Sequence, residues 1–159
     1  MDLLLDLLNS RPLVDGEERD ALGDPAGGGR WARERGGDGS PGELALLRRA
    51  RDVLGDVVRG ESPPAALGPL LEGVRRVPGF TSGGLRWTLE TPPRARLAVE
   101  AVLAWAAAEE RFPGRLRACA NDECRLFLLD RSRANRARWC SMAVCGNREK
   151  ARRHYERTR

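Results

Sequence analysis

Four cysteines, Cys119, Cys124, Cys140 and Cys145, lie within 27 positions of a 159-residue chain that contains no others. They form two C-x4-C pairs separated by fifteen residues. Each pair can close one knuckle or helical turn, and the spacer can fold back, so the four sulfurs can converge on one ion. This is the donor set of a tetrahedral four-thiolate zinc site. A disulfide framework would suit a secreted chain, and a redox pair ordinarily uses a tighter C-x-x-C. An iron-sulfur cluster also takes four cysteines, but the symmetrical pair-spacer-pair arrangement favours zinc. Four thiolates close the shell and leave no position for water, so the single Zn2+ predicted here is structural.

The segment around the cysteines needs that metal. Residues 113–159 contain few sizeable apolar side chains, among them Leu116, Phe127, Leu128, Trp139 and Met142. So small a set cannot offset chain entropy, whereas a structural zinc contributes on the order of 10 kcal/mol in small zinc peptides. The expected order is a knuckle at 119–124, a strand at 125–129, a turn at 131–135 and a return strand carrying Trp139 and Cys140. Cys145 then enters a final helix, an order that resembles a treble clef. Trp139 is expected to pack over the knuckle. Asn147 is expected to cap the helix or bond a zinc thiolate, and Arg148 to serve either sulfur or a phosphate.

Charge is unevenly placed. Residues 111–159 carry 14 basic and 5 acidic side chains, a net +9, whereas residues 1–110 carry 14 and 18, a net −4. Lys150 is the only lysine; arginine's rigid fork suits phosphate and guanine edges. On a helix starting near Asn147, Arg148, Arg152, Tyr155 and Arg159 fall on one stripe, and Lys150, Arg153 and Arg157 on a neighbouring one. The candidate nucleic-acid contacts are therefore Arg148, Lys150, Arg152, Arg153, His154 and Arg157. The competing reading is a solvated basic tail with Glu149 paired to Arg153.

Residues 1–112 read as a mainly helical domain with one small β-hairpin. MDLLLDLLN forms a short amphipathic helix with Leu4, Leu7 and Leu8 inward, and the lack of a cationic leader pattern predicts a soluble, cytoplasmic chain. Residues 10–39 are rich in Gly, Asp and Arg, and AGGGR reads as a loop with Trp31 as its anchor. Ser40-Pro41-Gly42-Glu43 starts a helix that stops at Gly60. A second start at Ser62-Pro63-Pro64 leads into Leu67, Leu70 and Leu71. Val74–Val77 and Leu85–Glu90 are expected to pair as a hairpin, with Leu85, Trp87 and Leu89 on a half-buried face. Pro92-Pro93 opens a last helix through Leu97, Val102 and Ala108. The only histidine, His154, lies outside this domain, so no Ser-His-Asp or Cys-His constellation can form within it. An enzyme is not expected, and no stretch is apolar enough to span a bilayer.

At Cys145-Gly146-Asn147-Arg148 the chain resembles the CGNR zinc-finger family of bacterial proteins. CANDEC, Phe127, Asp130, RWCSM at 138–142 and CGNREKARRHYER carry the resemblance over roughly the last 45 residues. The family couples this finger to an N-terminal helical domain called ABATE, and its members are described as stress-induced transcription regulators. In the N-terminal part, Asn9-Ser10, Asp20, Leu22, Asp24, Pro25 and Trp31 resemble the family's blocks, and AGGGRW departs from the helix-forming text usual before that Trp.

The combined expectation is a helical domain at 1–112 and a treble-clef-like four-cysteine finger at 113–159 that binds double-stranded DNA. The N-terminal domain would sense a small-molecule or protein signal, or mediate dimerisation. A single finger offers a small interface, so a homodimer is expected. The alternatives are an RNA-binding protein and a zinc-stabilised protein-interaction module.

Overall fold

The computed structural model describes residues 2–14 and 16–158. Helix α1 (Asp2–Leu8) buries Leu4, Leu7 and Leu8, as its period demands. Residues 10–39 are not the loop that their composition suggests. Strands β1 (Leu13–Val14) and β2 (Glu17–Glu18) pair antiparallel, and α2 (Pro25–Arg33) runs straight through AGGGR. Asp24 caps α2 by accepting from the Ala26 and Gly27 N–H groups, and Pro25 supplies the fixed φ of the first turn. The glycines are there for packing. A Cβ on Gly28 would stand 3.1 Å from the Leu44 side chain and 3.3 Å from the Leu22 Cα. Two helices thus touch backbone to side chain, and the contact offsets glycine's low helix propensity. Trp31 is half-buried and carries the Arg35 guanidinium 4.1 Å over its ring.

Helix α3 (Pro41–Arg59) begins and ends where predicted. Ser40 accepts from the Glu43 N–H at 3.1 Å, and Gly60 closes the helix at φ +77°. Glu43 does not return to Ser40. Its carboxylate is wholly buried and accepts instead from the Gly39 N–H at 2.7 Å. Ser62-Pro63-Pro64 starts a 3-10 segment (Pro64–Leu71) that buries Leu67 and Leu70. A 3-10 turn at Pro93–Ala95 leads into α4 (Arg96–Arg111), which presents Leu97, Ala98, Ala101 and Val102 to α1 and α3.

Strands β3 (Arg75–Thr81) and β4 (Gly84–Glu90) form the expected hairpin, but it is longer and barer than the sequence suggests. Pro78-Gly79-Phe80 lies within β3 rather than in a turn, and Thr81 pairs with Gly84 at the tip. The alternation of Leu85, Trp87 and Leu89 does not mark a half-buried strand. Phe80 is 85% exposed, and Leu85 and Trp87 are each 56% exposed.

The C-terminal hairpin pairs β5 (Leu116–Ala118) with β6 (Phe127–Leu129), so the first knuckle sits at its tip. The expected return strand at Trp139 is absent. That segment is held by single bonds, such as Ala120 N–H to the Arg138 carbonyl at 2.8 Å. Leu116 and Phe127 enter the same core as the Leu residues of α1, α3 and α4. The last cysteine lies in a wide π-type turn (Met142–Gly146) that runs into α5 (Asn147–Arg157). The architecture is thus mainly α with small hairpins, and the four-cysteine finger leans on the helical core.

Candidate metal centre and basic surface

The knuckle brings Cys119 and Cys124 together, and the turn before α5 brings Cys140 and Cys145. All four sulfurs lie within 4.8 Å of one another. Cys124 Sγ is 3.7 Å from Cys140 Sγ, which is 3.6 Å from Cys145 Sγ. Tetrahedral Zn–S bonds of about 2.3 Å place sulfurs about 3.8 Å apart, so the cluster fits the ion and not an S–S bond of about 2.05 Å. Burial, aided by the Cys145 and Cys119 sulfurs, pushes the Cys124 thiol up to about 11, and burial with all three neighbouring sulfurs pushes Cys140 higher still. At Cys145 burial is outweighed by the Asn121 amide and the other sulfurs, which lower it. Four thiolates packed within 4.8 Å of one another need a countercharge, and a dication supplies it. The finger holds one structural zinc.

Supporting bonds fix the ligands. The Asn121 amide donates to Cys145 Sγ at 3.5 Å, and the Cys140 N–H donates to Cys119 Sγ at 3.4 Å. Asn147, expected either to cap the helix or to bond a zinc thiolate, instead donates its amide to the Ala143 carbonyl at 3.2 Å. Asn121 carried no signal of its own, because its partner is 24 positions away. Trp139 packs beside the second pair. A Cβ on Gly146 would stand 3.3 Å from its ring and 2.8 Å from Met142 Sδ, so the glycine of the motif gives the turn room.

The two stripes of α5 differ in their surroundings. Arg148 approaches Glu123 at 3.6 Å, and Arg152 approaches Asp122 at 3.9 Å and Glu149 at 2.8 Å. Arg153 pairs with Glu149 at 2.9 Å. Among the described residues, Lys150 and Arg157 have no acidic partner, and His154 lies exposed with its ring edge-on to Tyr155. Arg159 lies outside the described residues. The knuckle's own acids therefore partly neutralise the first stripe.

A second basic element went unnoticed in the sequence. Arg131, Arg133, Arg136 and Arg138 occupy one exposed loop and have no acidic partner among the described residues. Buried Asp130 builds that loop by accepting from the Ser132 and Ala137 N–H groups, both at 2.8 Å, and from Arg117 at 3.2 Å. The Ser132 hydroxyl, these N–H groups and Arg117 together hold the Asp130 carboxyl below its ordinary range, against burial. Asn135 takes the left-handed turn at φ +49°. The regular spacing of arginines in RSRANRAR was the available signal.

Family models match the chain in two stretches: the CGNR zinc finger over residues 115–158, and ABATE, described as "Putative stress-induced transcription regulator", over residues 1–122. The chain belongs to the ABATE family and carries a CGNR finger. A search of curated proteins finds no match. The ABATE blocks acquire roles from the geometry. Asn9 donates its amide to the Phe127 carbonyl at 3.1 Å and accepts from the Phe127 N–H at 2.7 Å, pairing α1's end with the finger's β6. Ser10 accepts from Arg51 at 2.9 Å, and Arg51 grips Asp20 with bonds of 2.6 and 2.8 Å. A cavity of about 480 Å³, lined in part by Asp6, Asn9, Asp20, Trp31 and Arg35, borders this clamp. Among the described residues no helix is long and apolar enough to cross a membrane.

Proposed function

We propose that this ABATE-family chain is a cytoplasmic, non-enzymatic transcription regulator whose zinc finger binds duplex DNA through its backbone phosphates. The observation that carries this is the four-thiol cluster next to an arginine loop fixed by Asp130 and free of acidic partners. The loop at 131–138 brings four positive charges and no negative one, whereas α5 brings five basic side chains against Glu149 and Glu156, with Asp122 and Glu123 alongside. On this reading Arg131, Arg133 and Arg136 lead the phosphate contacts. Lys150, Arg153 and Arg157 supply a flanking set, and His154 lies among them. Arg148 and Arg152 contribute less until phosphates displace their exposed partners Glu123 and Asp122, pairs worth about 0–1 kcal/mol each, and Arg152 is further held by the largely buried Glu149. The zinc provides no chemistry and holds the loop and helix in one frame. A signal in the cavity beside Asn9 would reach the finger through the Asn9–Phe127 clamp.

The test is a competition among duplex DNA, structured RNA and single-stranded DNA for the zinc-loaded protein. Preference for the duplex, lost on zinc removal, supports the reading. Preference for RNA assigns the same arginines to the other nucleic acid, and indifference to all three leaves them for an acidic protein.

A further inference from the structure

The four sulfurs of the metal centre are not equally open. Cys119 and Cys145 are buried, whereas Cys124 and Cys140 are half-buried. A cavity of about 150 Å³ reaches Cys124, Cys140 and Cys145 and leaves Cys119 out. Leu126 and Val144 give it apolar walls, and Arg125 and Arg148 line it as well. A water in the liquid occupies about 30 Å³, so the space admits a molecule the size of hydrogen peroxide and excludes a peptide disulfide. Hydrogen bonding separates the sulfurs further. Cys119 accepts from the Cys140 N–H, and Cys145 accepts from the Asn121 amide. The Leu126 N–H supports Cys124. Among the described residues, Cys140 Sγ meets other sulfurs and no N–H donor. A thiolate that accepts such a bond is stabilised and becomes the weaker nucleophile. We propose that Cys140 is the oxidation site of the finger, and that this cavity delivers hydrogen peroxide to it.

The Cys140 thiolate attacks one peroxide oxygen. An S–O bond forms, the O–O bond breaks, and the departing hydroxide takes a proton from solvent. Arg125 and Arg148 pair with Glu18 and Glu123, and each guanidinium keeps further N–H groups that can hydrogen-bond the departing oxygen. Cys140 Sγ lies 3.7 Å from Cys124 Sγ and 3.6 Å from Cys145 Sγ, so a second thiolate stands on either side of it. One of them attacks the sulfenic sulfur, forming the S–S bond and expelling a second hydroxide, which solvent also protonates. Two thiolates have given up two electrons in all, and one peroxide has become two waters. The two thiolates that remain are too few for a closed tetrahedral site, and the finger loses its zinc. The loss of duplex binding that should follow rests on the proposed function; the oxidation itself does not.

The test treats the full zinc-loaded chain, without DNA, with limiting hydrogen peroxide. Zinc is read with a chromogenic chelator against an untreated control, and each cysteine by peptide mass mapping with a dione trap for sulfenic acid. The trap should mark Cys140, and every disulfide formed first should contain Cys140, joined to Cys124 or Cys145. Two thiols should be consumed for each zinc released, and a thiol reductant with added zinc should restore the site. Val144→Phe narrows the cavity at an exposed position and should slow zinc loss several-fold from the same starting zinc content. A trap or first disulfide that falls on other cysteines and omits Cys140 overturns the proposal. So does a wild type that keeps its zinc and all four thiols under excess peroxide. An undiminished rate in a zinc-loaded Val144→Phe removes the cavity as the route, and the wild-type map decides the site independently of that variant.

Discussion

At the residue scale, the sulfur cluster and its amide make separable predictions. Cys145→Ser should abolish the single equivalent of tightly bound zinc, read by metal analysis after dialysis. Asn121→Ala should keep the stoichiometry but weaken zinc affinity roughly 10-fold, the low end for loss of a group bonded to a ligand. A competition titration with a chromogenic chelator distinguishes the two. Glu43 offers a different test. Burial raises its carboxyl above the ordinary value, so the folded state binds the proton more tightly than the unfolded chain. That contribution is fully present below the ordinary value near 4.5 and is lost as pH rises through the higher folded value. Glu43→Gln removes the titration, so the difference in unfolding midpoint between variant and wild type should shift in the variant's favour as pH rises. A difference constant from pH 4, below the ordinary value of 4.5, up to pH 8 would contradict the assignment, and the cysteines, common to both proteins, cancel. The ligands were legible because C-x4-C is a local pattern. Asn121 and Glu43 were not, because their roles depend on atoms brought near by folding.

At the scale of elements, the finger's attachment rests on one side chain. Asn9→Ala leaves the Phe127 N–H and carbonyl without their partners, at a cost of about 1–3 kcal/mol. Hydrogen exchange at the Phe127 amide should accelerate about 10-fold or more, while amides in the middle of α3 change less. Equal acceleration throughout would mean that finger and helical core open as one unit. Helices α1, α3 and α4 could be read from apolar periodicity and from the caps at Ser40 and Gly60. Helix α2 could not, since three consecutive glycines signal a loop until Leu44 and Leu22 are seen against Gly28. The β3–β4 alternation correctly indicated a strand pair and misled about burial, because period two identifies a face and not what covers it. The return strand failed for a related reason. One edge of β6 was already taken by β5, a partner that precedes the first cysteine, and Asn9 takes the Phe127 N–H and carbonyl besides.

At the scale of the whole molecule, an acidic helical body carries a basic finger, and the charge division visible in the sequence survives folding with one refinement. Part of α5 is neutralised by the knuckle, and the exposed loop after Asp130 carries the unopposed charge. The measurement that tests the account most directly is the salt dependence of duplex binding by the zinc-loaded protein. Wild type is compared with Arg131→Ala/Arg133→Ala/Arg136→Ala and with Arg148→Ala/Arg152→Ala. Each phosphate contact adds about 0.9 to the slope of log affinity against log salt. The account predicts steep wild-type dependence, a slope shallower by about 2–3 in the loop variant, and a smaller change in the helix variant. A folded, zinc-bound wild type that binds no duplex in a salt-sensitive manner would contradict the central claim. Steep binding weakened only by the helix variant would retain DNA binding and remove the loop from it.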